Sequence, residues 1–301
     1  MQRKLVKQGN SALTVTLPSK WIANQGLKAG DVVEVEEKGK EITITSGSSK
    51  QYKSIKLELS DDPHLAKRQL GYAYKRGVDQ IEATFRNLDL SKRIHEFLSM
   101  YLGYEIIDHG KAYCVIKNIA SPNEEDLDNV LNRTFLITLE LAEETYAKLS
   151  SGNIAQAGDL IYLEKLNNRL TYFCKRILNK KGYKEHFKTT VLYRAVVHLE
   201  QVADQYKELI YYLQYHSTKK ISSASLKEFK ELNTHLRSLH QVSLSRKASD
   251  IQSLLRKSKD LQLRLRKAKF SNADDMMICI HLRFLVDLIT DLAGTYYELS
   301  L

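Results

Sequence analysis

The hydrophobic period changes along the chain, and each change marks a different kind of element. Near the start, Leu13, Val15 and Leu17 alternate with Ala12, Thr14 and Thr16. That is the period of a half-buried strand. Arg3–Lys7 has similar strand composition. Pro18 opens a short helix carrying Trp21, Ile22 and Leu27, and Lys28-Ala-Gly30-Asp31 makes a turn. Val32–Glu36 and Ile42–Ile44 alternate again and pair as a hairpin. Gly47-Ser-Ser-Lys50 reads as a linker.

Between 47 and 120 the pattern predicts strand, helix, strand, helix, then a hairpin. Ile55, Leu57 and Leu59 alternate. Asp61-Asp62-Pro63 starts a helix over 63–76 that ends at Gly77. Asp61, Asp62 and His64 therefore read as a helix start rather than as metal ligands. Residues 78–85 follow as a strand, 89–101 as a helix, and 104–109 with 111–119 as a hairpin through Gly110.

From 121 onward the period is helical. Six helices are expected, at about 123–150, 153–181, 187–216, 222–242, 246–269 and 271–300. In the third, Leu192, Ala195, Val196, Leu199, Val202, Ala203, Tyr206, Leu209, Ile210 and Leu213 recur three and four apart. This is a buried stripe.

Composition agrees with such a chain. There are 301 residues, with only 3 Pro and 13 Gly, which favours long helices over turn-rich β folds. Cys114, Cys174 and Cys279 are far apart, so zinc ribbons and disulfide frameworks are excluded and a reducing cytoplasm is expected. The cysteines are expected to pack as small apolar residues. No apolar signal core and no run near the ~20 residues of a membrane span is present. No membrane insertion is therefore expected.

Charge changes the picture in two places. The net charge is +10, and residues 216–270 hold fourteen Lys and Arg against four Asp and Glu. Residues 1–20 hold Arg3, Lys4, Lys7 and Lys20 with no acid. Both stretches suit a polyanion. A unit of about 46 residues buries little surface alone, so residues 1–46 are expected to dimerise.

The strings Arg3-Lys-Leu-Val-Lys-Gln-Gly-Asn-Ser11, Thr14-Val-Thr-Leu-Pro-Ser-Lys20 and Gly26-Leu-Lys-Ala-Gly-Asp31 resemble the AbrB/SpoVT-type swapped-hairpin DNA-binding domain. The resemblance covers residues 2–46. It implies a homodimer of interleaved hairpins with basic residues against double-stranded DNA. The residues expected at the DNA are Arg3, Lys4, Lys7, Asn10, Ser11 and Lys20.

In the helical part, Glu200 and Asp204 lie four apart on the third helix, and Asp287 and Asp291 four apart on the sixth. Each pair shares one helix face. Leu199-Glu-Gln-Val-Ala-Asp204 and Val286-Asp-Leu-Ile-Thr-Asp291 follow one pattern, so residues 121–216 and 217–301 read as two three-helix repeats. This part resembles the PhoU family of phosphate-uptake regulators. The resemblance implies metal at Glu200, Asp204, Asp287 and Asp291, either a divalent ion or iron or zinc. It also implies contact with a phosphate transporter ATPase or a sensor kinase. The family's usual arginine after the first carboxylate is Gln201 here, and Leu288 in the second motif. Glu164 is followed at the fourth position by Asn168.

No Glu-x-x-His, phosphate loop, G-x-S-x-G or H-E-x-x-H occurs, so no enzyme is expected. The whole reads as a multidomain α+β chain. A swapped-hairpin β domain (1–46) is followed by a small α/β bridge (47–120) and an all-α, PhoU-like pair of three-helix bundles (121–301). The function expected is that of a cytoplasmic, DNA-binding transcriptional regulator tied to phosphate uptake. A helical adaptor whose first module only dimerises is the alternative.

Overall fold

A computed structural model describes residues 1–9, 11–38, 41–46, 52–119, 125–217, 221–270 and 272–301. Asn10, the linker 47–50 and residues 218–220 lie outside the described residues. The chain divides into two compact units, Met1–Tyr52 and Lys53–Leu301.

The first unit is built from two hairpins and a short helix. Strand β1 (Val6–Gln8) pairs antiparallel with β2 (Ala12–Thr14), placing Val6 opposite Thr14 and Lys7 opposite Leu13. Helix α1 (Ser19–Asn24) starts after Pro18, whose φ of −63° suits a helix entry. The turn after it closes through Asp31, whose Oδ2 accepts from the Lys28 amide at 2.7 Å, while Gly30 takes φ +95°. A φ of that sign suits glycine, which lacks a Cβ. Strand β3 (Val33–Lys38) then pairs antiparallel with β4 (Glu41–Ser46), with Val35 opposite Ile44.

The second unit begins with a four-stranded mixed sheet in the order β5-β6-β8-β7. Strand β5 (Ser54–Glu58) runs parallel to β6 (Gln80–Thr84), and helix α2 (Pro63–Lys75) makes the crossover. The Asp62 carboxylate accepts from the His64 amide at 2.8 Å, so it caps α2 as its position predicts. Helix α3 (Leu90–Leu98) leads to β7 (Tyr104–His109) and β8 (Tyr113–Asn118), an antiparallel pair with a bulge between Ile106 and Asp108. This module has its own core, including Leu70, Tyr74, Ile81, Ile94 and Ile116.

Six helices follow: α4 (Glu125–Ser150), α5 (Ile161–Lys181), α6 (Thr189–Tyr215), α7 (Ser223–Ser245), α8 (Ala248–Lys267) and α9 (Ala273–Ser300). Within α4–α6 each helix packs on the other two, and the same holds within α7–α9. The two sets meet where α6 lies on α9 and α4 on α7. One continuous core runs through all six. The buried residues of α6 are the ten of the predicted stripe.

The start of α5 differs from the sequence reading. Residues Ile154–Leu160 form a 3-10 segment rather than the first turns of α5. Gly158 there lies so close to the Gln214 side chain that a Cβ would meet its Nε2 at 2.0 Å.

All three cysteines are free and buried. Among the described residues, no helix is long and apolar enough to cross a membrane.

Candidate nucleic-acid interface

The first unit presents cations on an open scaffold. Arg3 and Lys4 precede β1, Lys7 sits within it and Lys20 is on α1, and all four are exposed. Ser11 is exposed between β1 and β2. Among the described residues none of the four cations makes an ion pair, so their charge is available to a polyanion.

The same unit has no core of its own. No described residue from 1 to 52 is buried. Leu13 is 61 % exposed, Val35 62 % and Ile42 67 %. Exposed apolar strand positions of this density are a common feature of interaction surfaces.

Three of the four carboxylates expected to hold metal have side-chain partners within the chain. Glu200 of α6 forms an ion pair with Lys175 of α5. Asp204 accepts from Lys207 Nζ at 2.6 Å, and the same ammonium reaches Glu164 Oε1 at 2.8 Å. Asp287 is exposed and accepts from Gln262 Nε2 at 2.7 Å, while Asp291 is exposed. Lysine ammoniums thus neutralise the α6 pair, and the α9 pair faces solvent. Among the described residues no group of three His, Cys, Asp or Glu is placed to hold a metal ion.

The sequence reading missed this lysine-centred network. Its one local signal is the spacing of Asp204 and Lys207, three apart on one helix. Glu164 is buried, and burial raises its pKa against the opposing pull of Lys207. Asn168 Nδ2 donates to the same Oε1 at 2.7 Å.

A second missed cluster joins the α/β module to the helices. Arg176 of α5 is 2 % exposed. Its Nη1 donates to the carbonyls of Tyr74 at 3.1 Å and Val78 at 2.6 Å, and its Nη2 to Asp79 Oδ1 at 2.9 Å. The guanidinium also lies over the Tyr74 and Tyr104 rings, 5.1 and 5.4 Å from their centroids. Asp79 additionally pairs with Lys180, and its Oδ2 accepts from the Lys53 amide at 3.0 Å.

Residues 6–52 match the model of a family described as antidote-toxin recognition MazE, bacterial antitoxin. The match supports a MazE/AbrB-type, antitoxin-like N-terminal domain, which is consistent with a DNA-binding regulator fold and suggests dimerisation. No family model supports the PhoU resemblance of the helical region. No curated protein and no solved structure matches the chain.

Proposed function

We propose that this chain is a DNA-binding transcriptional regulator that grips duplex DNA through a dimer of its first unit. The observation that carries the proposal is the pairing of two properties in one unit. Its apolar strand positions are exposed, so a second copy completes it. Its cations Arg3, Lys4, Lys7 and Lys20 are exposed and unpaired among the described residues. Cations of that kind bind phosphates and release counterions, so affinity falls steeply with salt. Ser11, exposed between β1 and β2, supplies a polar group for sugar, phosphate or base edges.

The helical region is proposed to sense or dock and thereby to tie DNA binding to phosphate uptake. The support is its six-helix order in two sets of three, with a carboxylate pair on the third helix of each. Transcripts for phosphate transport should change when the chain is deleted under phosphate limitation, and an unaltered set would remove the phosphate link.

The test of DNA binding is a titration of the full chain with duplex DNA at two salt concentrations. Each phosphate neutralised should contribute about −0.9 to the log–log salt slope. Changing Arg3, Lys4 and Lys7 together to Ala should flatten that slope. An unchanged affinity and slope would leave the unit as a dimerising module only.

A further inference from the structure

Most of the basic stretch of the sequence lies on α7 and α8, and on α8 its charge is sorted by face. Ile251, Leu254, Ser258, Leu261 and Leu265 form the buried row of α8. Arg256, Lys259, Arg266 and Lys267 are all exposed. At about 100° per residue these four fall within an arc of about 100°, opposite the buried row. Among the described residues none of the four makes an ion pair. Arg264, to one side, is instead held by Glu228 and Glu231 of α7. Asp260 is the one acid that enters the exposed row.

We propose that this outward face of α8 is a second contact surface for duplex DNA. The proposal rests on the reading that the chain binds DNA. From Arg256 to Lys267 the row runs for about 16 Å at 1.5 Å per residue. A duplex carries about nine phosphate charges over that length. A row of unpaired cations with one acid matches such a continuous anion.

Two other surfaces fit less well. A helix that lies in a lipid interface buries its own apolar face there, but the apolar face of α8 is already packed in the bundle. Protein interfaces are depleted of Lys and rely on aromatic anchors, whereas the only large apolar side chain in this row is Leu263, 45 % exposed. Tethering to a unit that already holds DNA raises the effective concentration of the second contact. A few phosphate contacts by α8 therefore suffice to matter.

The experiment uses the full chain and a nonspecific 30-base-pair duplex, followed by fluorescence anisotropy between about 50 and 200 mM salt. Arg256→Gln/Lys259→Gln/Arg266→Gln/Lys267→Gln should lose about tenfold or more in affinity at the lower salt, with the slope flattened by about 3 to 4. The charge-keeping Lys259→Arg/Lys267→Arg should bind as wild type. Should circular dichroism show the quadruple variant misfolded, Arg256→Gln and Lys267→Gln alone should each flatten the slope by about 0.9. Unchanged affinity and slope in the folded variants would overturn the proposal. So would loss of binding to acidic phosphatidylglycerol vesicles with DNA binding intact. If the α8 variants weaken binding while Arg3→Ala/Lys4→Ala/Lys7→Ala does not, the α8 surface stands and the N-terminal one fails.

Discussion

Arg176 and Asp79 lie 97 residues apart in the chain and form a buried ion pair at 2.9 Å. The same guanidinium closes two backbone carbonyls at the end of α2, and the same carboxylate holds the Lys53 amide at the start of the second unit. Arg176 of α5, through its own bonds and through Asp79, thus ties the end of α2 to the residue just before β5. Removing one partner of such a pair strands the other charge in a poorly solvated site. Arg176→Met should cost about 3 kcal/mol or more in urea unfolding. Amide exchange should quicken in β5 and α2 before it does in α6. Exchange that rises evenly through both cores would contradict this role.

His235 predicts the pH dependence of stability. It is buried, and its Nε2 lies 2.6 Å from Ser258 Oγ, whose hydroxyl donates to the Leu254 carbonyl. Burial, helped by Lys257, lowers its pKa to about 4. In the unfolded chain it titrates near 6.5. Between those values the unfolded state binds the extra proton, so stability falls as pH drops. The contribution is complete above about pH 6.5 and lost towards pH 4. Going from pH 7 to pH 5 should cost the wild type about 2 kcal/mol more than His235→Gln. Equal losses in both proteins would place the acid sensitivity elsewhere.

Lys207 answers two carboxylates, and one of them, Glu164, is buried. Lys207→Met should destabilise the chain by about 3 kcal/mol. Adding Glu164→Gln to that variant should recover most of the loss, because an amide needs no counter-charge. Thermal unfolding of the single and double variants measures both steps. A double variant weaker than Lys207→Met would show that Glu164 is stabilised by something other than this ammonium.

The exposed strands of the first unit give a prediction about assembly. Leu13→Glu together with Ile42→Lys should convert a dimer of the full chain into a monomer in sedimentation equilibrium, with the helical signal of the second unit retained. A dimer that survives both changes would place the contact between copies outside these strands.

The sequence revealed elements more readily than the partners of charged groups. The ten-residue stripe of α6 was legible because periodicity and burial have one cause: every apolar residue on that face enters the core. The Asp62 cap was legible because its partner lies two residues away. Arg176 was not, since a cation within a helix ordinarily reads as solvated, and its acceptors come from a turn about a hundred residues earlier. Lys175 and Arg176 are neighbours that turn to different partners, Glu200 and Asp79, and no spacing rule separates them. The carboxylate pairs show the reverse case. Their spacing was clear, but what neutralises Glu200 depends on which helix lies opposite.

A first unit without a single buried described residue has a consequence for how the chain would act in a cell. Under the proposal that a second copy covers it, the stability of that unit depends on how many chains are present. At low abundance the cations of β1 and α1 would belong to an unstructured arm. On the same proposal, while dimers are scarce the DNA-gripping population rises with the square of chain number, so binding would report how much of the chain has been made.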